Sequence, residues 1–292
     1  MAERTIGMVG LGNIGAPMAS RLAEKFPVLG HDIAKDQASA PEGVAMVPSI
    51  AALAARADAI CLSLPSAQAV LAVIGEVAGV PAPGRRTRLI VELSTIGIDT
   101  AQRSAELARA GGLAYLDAPV SGGVGRARAG SLAIMCAGAP EAVADADDVL
   151  RQLASRVFVM GEQPGLGQGM KLANNIISAA ALAVTSEALI FGSRLGLAPE
   201  KMIDVINVST GRTEVSEIKF TQTILPRNYR GAFSRIMGKD VSLFLEGARS
   251  VGLDCGVARR TGEIWERFVA DEPSKDFQYI YEYLRDKAEA AR

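Results

Sequence analysis

A short strand, a glycine-rich turn and a helix follow one another at the start of the chain. An apolar run leads into Gly10-Leu11-Gly12-Asn13-Ile14-Gly15, after which apolar residues recur at helical spacing. The three glycines suit a tight turn, a close approach of backbone to a pyrophosphate, and close packing of the helix on the strand. The motif therefore predicts a dinucleotide-binding loop; an ordinary structural turn is the alternative.

An acidic residue, Asp32, closes the next apolar run and favours the dinucleotide interpretation over a surface aspartate. A carboxylate here accepts hydrogen bonds from both hydroxyls of an adenosine ribose and repels a 2′-phosphate. We therefore expect NAD as the cofactor, with NADP less favoured. Two later strand ends, Leu64-Pro65 and Ser94-Thr95, belong at the same ligand-binding edge of a parallel sheet, or are plain turns.

Strands and helices alternate up to about residue 160 and then give way to helices alone. Apolar runs alternate with alanine-rich helical segments, the later runs lying at 58–64, 88–93, 113–117, 132–137 and 156–160. This alternation predicts a parallel, doubly wound α/β domain of the Rossmann type. One long helix over 167–195 then leads into an all-α region. We therefore expect domains over 1–163 and 164–292, joined by the long helix.

Composition narrows the classes of function. The chain has 292 residues and a net charge of −1, with both signs mixed along it, which disfavours a nucleic-acid partner. One histidine and three scattered cysteines predict no metal site and suit a reducing compartment. The long helix carries polar and acidic residues, so we expect a buried helix and no membrane partner. The first ten residues do not resemble a signal peptide, which favours a cytoplasmic location.

A second glycine-rich segment follows the apolar run at 113–117. Ser121, Gly122 and Gly123 would expose consecutive backbone N–H groups and a hydroxyl, an arrangement that suits a carboxylate or another small anion. A flexible loop with no ligand is the equal alternative from this segment alone.

A lysine and two amides stand at the start of the long apolar helix. Lys171, Asn174 and Asn175 are spaced i, i+3 and i+4, so they project from roughly one face. Burying such groups is destabilising unless they are used, and a buried lysine can exchange a proton near neutral pH. A lysine that extends to solvent is the alternative. Lys239-Asp240, placed at another helix start, is by itself either a cofactor contact or a solvated charge pair.

Four segments in this order resemble the β-hydroxyacid dehydrogenase family, which includes 3-hydroxyisobutyrate dehydrogenases, tartronate semialdehyde reductases and 4-hydroxybutyrate dehydrogenases. They are GLGNIGAPMA from Gly10, DAPVSGG from Asp117, GLGQGMKLANN from Gly165, and the pair Lys239-Asp240. The resemblance covers the whole chain.

The resemblance implies an NAD(P)-dependent oxidoreductase that interconverts a small 3-hydroxy acid and its semialdehyde or ketone. It implies Lys171 as the catalytic acid/base, the 121–123 segment as the carboxylate site, and Asn175 as a substrate contact. It places Leu64, Pro65, Thr95 and Lys239 beside the nicotinamide cofactor. It also implies a homodimer or homotetramer formed through the helical domain. A reductase of tartronate, succinic or another short semialdehyde, an imine reductase and a non-catalytic NAD-binding module are the alternatives.

Overall fold

The chain divides into two compact units, Met1–Lys171 and Leu172–Arg292. The computed structural model describes residues 4–229 and 232–290. The domain boundary expected after residue 163 stays a prediction. Strand and helix alternate in the N-terminal unit and helices follow in the C-terminal one, so the fold class is confirmed.

Six short parallel strands form the main part of the N-terminal sheet. In chain order they are β1 Ile6–Val9, β2 Val28–His31, β3 Val44–Met46, β4 Ala59–Leu62, β5 Leu89–Glu92 and β6 Ala114–Asp117. Their spatial order is β3-β2-β1-β4-β5-β6, which is the order of the Rossmann fold. All five neighbouring pairs are parallel, so the carboxyl ends of these strands meet at one edge.

The sheet then changes direction, which the strand–helix rhythm did not predict. The short β7 covers Val120–Ser121, β8 covers Leu132–Ala137 and β9 covers Ala154–Gly161. β8 runs antiparallel to both β6 and β7, and β9 runs parallel to β8. The sheet is therefore mixed with a parallel majority, and strands β1 to β6 confirm the expected parallel, doubly wound arrangement. The sequence shows only that β8 is apolar, and strand direction depends on tertiary pairing.

Helices cover both faces of this sheet. They are α1 Gly15–Ala23, α2 Ile50–Ala54, α3 Ala67–Gly79, α4 Ile98–Ala110, α5 Gly123–Arg128 and α6 Pro140–Leu153. One buried cluster joins β1 to α1 and α6 through Met8, Leu22 and Leu150. A second joins β4 to α3 through Ile60 and Ile74. Burying apolar side chains on both faces explains why the strands are continuous apolar runs.

The C-terminal unit is built from helices around an aromatic core. After the long α7, Leu166–Arg194, come α8 Pro199–Asn207, a π-helical segment Val215–Ile224, α9 Ser234–Ser250, α10 Gly256–Asp271 and α11 Ile280–Ala290. Trp265, Phe220 and Phe268 are fully buried. The indole Nε1 of Trp265 donates a hydrogen bond of 3.2 Å to the carbonyl oxygen of Ala179 on α7. The core therefore packs the later helices of this unit against α7.

The helix α7 is long and largely apolar. It has 29 residues, and its most apolar 18-residue window makes it long and apolar enough to cross a membrane by length and composition. Half of its most apolar window is buried inside the protein. A helix that packs in the core of a soluble protein has the same length and composition.

Candidate functional site

The glycine loop after β1 has no room for a side chain at Gly10 or Gly15, whereas Gly12 faces open space. A Cβ on Gly10 would lie 2.2 Å from the carbonyl oxygen of Ser63, and a Cβ on Gly15 would lie 1.9 Å from that of Gly10. Gly10 also has a φ of +87°, which favours glycine. A Cβ on Gly12 would meet nothing within 4 Å. The loop therefore fits a pyrophosphate that approaches the backbone at Gly12.

Asp32 holds this loop through its carboxylate. The backbone N–H of Leu11 donates to Asp32 Oδ2 at 2.7 Å, and that of Ala34 donates to Oδ1 at 2.8 Å. Leu11 is buried in the core, whereas Asn13 is exposed and Ile14 precedes α1. The predicted cofactor residues at 10–15 and Asp32 are thus brought together at the carboxyl ends of β1 and β2.

A hydrogen bond joins the segments that follow β4 and β5, beside that loop. The N–H of Leu64 donates to Ser94 Oγ at 2.8 Å, and the N–H of Ser94 donates to Glu92 Oε1 at 2.7 Å. Leu64 and Thr95 are half-buried and Pro65 is exposed. These three predicted cofactor residues lie at the sheet edge where open α/β sheets bind ligands.

The segment that carries Ser121, Gly122 and Gly123 is a short strand followed by a six-residue helix, where a glycine loop was expected. Ser121 pairs with Ala133 of β8. Gly122 has a φ of +140° and Gly123 a φ of +70°, so both need glycine for their backbone conformation. The segment is therefore part of a strand and a helix, joined by a left-handed turn at the two glycines.

Lys171 and the two asparagines lie on the first turns of α7. Lys171 is 8% exposed and Asn175 is 7% exposed, while Asn174 is half-buried. The amide Nδ2 of Asn174 donates to Asn175 Oδ1 at 3.1 Å. The spacing along one continuous helix agrees with the predicted common face. The alternative of a lysine that extends to solvent is disfavoured because its side chain is buried.

Two buried polar residues, one at the end of β6 and one in the first turn of α7, were not among the predicted site residues. Asp117, at the end of β6, and Gln168, in the first turn of α7, are both fully buried. Gln168 Nε2 donates to Asp117 Oδ1 at 2.7 Å, and the Gly165 N–H donates to Asp117 Oδ2 at 2.9 Å. Burial raises the pKa of Asp117, and the hydrogen bonds from Gln168 and Gly165 oppose that rise. Both residues stand inside the quoted motif segments, but their pairing spans about fifty positions and has no local signal.

In the C-terminal unit, Asp240 connects two of the predicted residues. Asn175 Nδ2 donates to Asp240 Oδ2 at 2.7 Å, and Lys239 Nζ lies 2.9 Å from Asp240 Oδ1. Asp240 is 5% exposed. The helix α9 begins at Ser234, so Asp240 lies inside the helix and not at its start, where the sequence had placed the Lys239-Asp240 pair. Asp240 instead holds the amide of Asn175 and the ammonium of Lys239.

Two families of known proteins match the two parts of the chain. The NAD binding domain of 6-phosphogluconate dehydrogenase matches residues 5–161. The NAD-binding domain of NADP-dependent 3-hydroxyisobutyrate dehydrogenase matches residues 165–284. Together they cover the chain from the first strand to the last helix.

Similar proteins match over nearly the whole length. Mitochondrial 3-hydroxyisobutyrate dehydrogenase of Mus musculus is 32% identical over 98% of this chain and 89% of its own length. A probable 3-hydroxyisobutyrate dehydrogenase of Mycobacterium bovis is 32% identical over 98% of this chain and 99% of its own length. The solved structure of the Mycobacterium tuberculosis 3-hydroxyisobutyrate dehydrogenase with L-serine has a TM-score of 0.88 at 30% identity, covering 97% of this chain and 99% of that one.

The matches and the fold agree. The glycine loop, the Rossmann strand order and the matches over both units identify a nicotinamide-dinucleotide-dependent oxidoreductase acting on CH–OH groups. The chain belongs to the β-hydroxyacid dehydrogenase family.

Proposed function

We propose that this protein interconverts a short 3-hydroxy acid and its semialdehyde or ketone, in the manner of 3-hydroxyisobutyrate dehydrogenases, with NAD as the cofactor. The observation that carries the proposal is the buried Lys171, one helical turn beyond Gln168, whose amide contacts the ends of β5 and β6. A lysine shielded from water at that edge suits proton exchange with a substrate hydroxyl. The names of the full-length relatives support the substrate class.

The predicted cofactor residues have two roles. Residues 10–15 and Asp32 would bind the adenosine and pyrophosphate, and Leu64, Pro65, Thr95 and Lys239 would line the nicotinamide. When bound, the oxidised nicotinamide supplies the acceptor for the hydrogen on the carbinol carbon. The carboxylate of Asp32 favours NAD because it would repel a 2′-phosphate. The family matches at 5–161 and 165–284 support the predicted domain limits of 1–163 and 164–292.

Lys171 would carry out the proton transfer. In oxidation its neutral amine accepts the proton of the substrate hydroxyl, and in reduction its ammonium returns that proton to the carbonyl oxygen. Ser121, Gly122 and Gly123 would bind the substrate carboxylate, so that the hydroxyl lies toward the lysine. Asn174 and Asn175 would donate hydrogen bonds to the substrate, with Asp240 holding the amide of Asn175.

The Ser121→Ala variant tests the carboxylate site. Losing a hydrogen bond to a charged group costs about 1.5–3 kcal/mol, so we expect KM for hydroxy acids to rise roughly tenfold or more. The NADH dissociation constant should stay near that of the wild type. Initial-rate kinetics and NADH fluorescence titration measure the two quantities. The Ser155→Ala variant, on exposed β9, is a matched control. A KM unchanged by Ser121→Ala would refute the role of this segment.

A panel of substrates tests the function itself. The wild-type protein should form NADH with short 3-hydroxy acids and should prefer NAD⁺ to NADP⁺. Tartronate and succinic semialdehydes, tested in the reductive direction, examine the alternative of a semialdehyde reductase. Turnover of cyclic imines alone would favour an imine reductase, although the presence of Lys171 disfavours that function. NADH binding without turnover of any of these compounds would favour a non-catalytic binding module and refute the proposal.

We also propose that the protein works as a homodimer or homotetramer in the cytoplasm, without a membrane or nucleic-acid partner. Ile177, Val184 and Phe191 recur every seven residues along α7 and are 60–70% exposed. Side chains at this spacing form one apolar stripe, and identical stripes on two copies can pack against each other. Cell fractionation of the natural host tests the location, and a gel shift with duplex DNA tests the absence of nucleic-acid binding.

Replacing Ile177 and Val184 together by glutamate should dissociate the oligomer. Charges placed in an apolar interface lose their hydration without gaining a partner, so association is disfavoured. Light scattering after size-exclusion chromatography should give two or four times the mass of one chain for the wild type. For the variant it should give the mass of a single chain. Val257→Glu, on α10 and 78% exposed in the wild type, is the control. A wild type that is monomeric, or that requires detergent for extraction, would contradict this assignment.

A further inference from the structure

The side-chain amide of Gln168 fills its whole hydrogen-bonding capacity inside the protein. Its Nε2 donates to Asp117 Oδ1 at 2.7 Å and to the carbonyl oxygen of Ser94 at 3.1 Å. Its Oε1 accepts from the N–H groups of Ile96 at 2.9 Å and Gly97 at 3.3 Å. A carboxamide offers two N–H donors and two lone pairs, so each is used.

These partners fix which end of the amide faces which group. The carbonyl oxygen of Ser94 can only accept, and the backbone N–H groups of Ile96 and Gly97 can only donate. Turning the amide over would place its NH₂ group against two N–H donors and leave its oxygen facing acceptors. The site therefore selects glutamine over an apolar side chain of similar length. It also selects against glutamate, which when ionised has no donor.

The contacts of Gln168 and Asp117 join three segments of the candidate site. Asp117 ends β6 and leads into the 121–123 segment, and the loop after β5 contains Thr95. The backbone N–H of Gln168 donates to Asp117 Oδ2 at 3.1 Å. The approach is close, because a Cβ on Gly167 would lie 2.9 Å from Asp117 Oδ2 and 2.4 Å from the carbonyl oxygen of Met135. The start of α7 is thus held directly against the sheet edge.

We propose that Gln168 is a positioning residue that sets Lys171 relative to the loop after β5 and the segment after β6. Lys171 follows three residues later, so its Cα lies about 4.5 Å further along the helix axis. Movement of the first turn of α7 therefore moves the lysine. The inference rests on the function proposed above, because it assigns Gln168 a role in that reaction. Gln168 acts through the backbone and makes no contact with the substrate.

Two substitutions separate positioning from a general contribution to stability. Gln168→Met keeps the length of the side chain and removes every donor and acceptor. Gln168→Glu keeps the shape, and a protonated glutamate has one O–H donor and an acceptor oxygen. An ionised glutamate would face the carboxylate of Asp117 at hydrogen-bonding distance, so one of the two must take up a proton. The glutamate variant should therefore work better as the pH falls, whereas the methionine variant should not.

Other ionisable groups lie on the elements around this site, and their titration can also change kcat with pH. They are carried by β5, α4, β6, β8 and α7, and are Glu92, Asp99, Tyr115, Asp117, Cys136 and Lys171. All six are present in the wild type and in both variants. Dividing each variant's kcat by the wild-type value at the same pH therefore isolates the effect of residue 168.

The experiment measures kcat, KM and the NADH dissociation constant between pH 5.5 and 8.5 for the wild type and three variants. A misplacement of about 1 Å costs roughly 100-fold, so we expect Gln168→Met to lose about that factor in kcat while NADH affinity stays within about threefold. The kcat of Gln168→Glu relative to wild type should rise about tenfold from pH 8.5 to pH 5.5. Gln163→Met, in the exposed turn before α7, is the matched control and should behave as the wild type.

Hydrogen exchange of the Ile96 and Gly97 amides provides a readout that needs no substrate. Both amides should exchange slowly in the wild type and faster in Gln168→Met. A wild type without turnover would refute the proposed function, while the exchange comparison would still decide whether Gln168 holds the loop. If Gln168→Met keeps its kcat, or if exchange at both amides is unchanged, the positioning role is wrong. If the methionine variant does not fold, the glutamate variant still tests the proposal. A ratio of its kcat to the wild-type kcat that does not change with pH would refute the positioning role.

Discussion

Replacing Lys171 by alanine is expected to lower kcat by a factor of about 100 to 10,000, the range that general acid–base catalysis contributes. The side chain is buried, so in the proposed reaction its amine would meet the substrate in surroundings from which water is largely excluded. Alanine at this helical position keeps the backbone and removes only the proton carrier. The NADH dissociation constant should stay close to that of the wild type, because the glycine loop and Asp32 are the residues proposed to hold most of the cofactor. Initial rates and a fluorescence titration measure both.

Two further variants make this test specific. Lys171→Arg keeps a positive charge but cannot lose its proton near neutral pH, so it should remain as inactive as the alanine variant. Lys201→Ala removes an exposed lysine on α8 and should leave kcat unchanged. If either the alanine or the arginine variant retains most of the wild-type kcat, another group transfers the proton and the assignment of Lys171 is wrong.

Replacing Gly12 by alanine is expected to weaken NADH binding by at least about tenfold, or about 1.4 kcal/mol, without changing the melting temperature. The new Cβ meets no protein atom within 4 Å, and Gly12 has no positive φ, so the folded protein should accept alanine. The space that the methyl group enters is where a pyrophosphate would approach the backbone. Fluorescence titration with NADH and thermal unfolding give the two quantities separately.

Neighbouring glycines provide the controls for this prediction. Gly15→Ala places a Cβ 1.9 Å from the carbonyl oxygen of Gly10, so it should lower the melting temperature as well as NADH affinity. Gly84→Ala, in an exposed turn, also meets nothing within 4 Å and should change neither quantity. Unchanged NADH affinity in Gly12→Ala would mean that the loop does not bind the pyrophosphate.

The predictable part of the fold came from patterns confined to neighbouring residues. The glycine motif, the apolar runs and the helical spacing are local, and they predicted strand β1, helix α1 and the long α7, whose expected range of 167–195 differs by one residue at each end from the observed helix. Patterns of this kind report the period of a segment and which side of it is apolar. They do not report the partner of a strand, which is why the antiparallel β8 and the short β7 and α5 were not foreseen.

The candidate site residues also divide into those that have a local sequence signal and those that do not. Lys171, Ser121 and Asp32 could be singled out because each is a chemically reactive or charged residue in a glycine-rich or apolar setting. Gln168 could not, because an amide beside a glycine is an ordinary helix start until its partners are known. Those partners lie between 51 and 74 positions away along the chain.

The sequence by itself determined the order of the two domains, the dinucleotide loop, the choice of Lys171 and Asn175 as candidate site residues, and the family resemblance. Only the tertiary structure decided that the sheet is mixed, that Lys171 is buried and that Asp240 holds the amide of Asn175. It alone decided that Asp117 and Gln168 hold the start of α7 at the ends of β5 and β6. The physical reason is that hydrogen bonds between distant segments depend on where the fold places them, whereas helical and strand periods are set by adjacent residues.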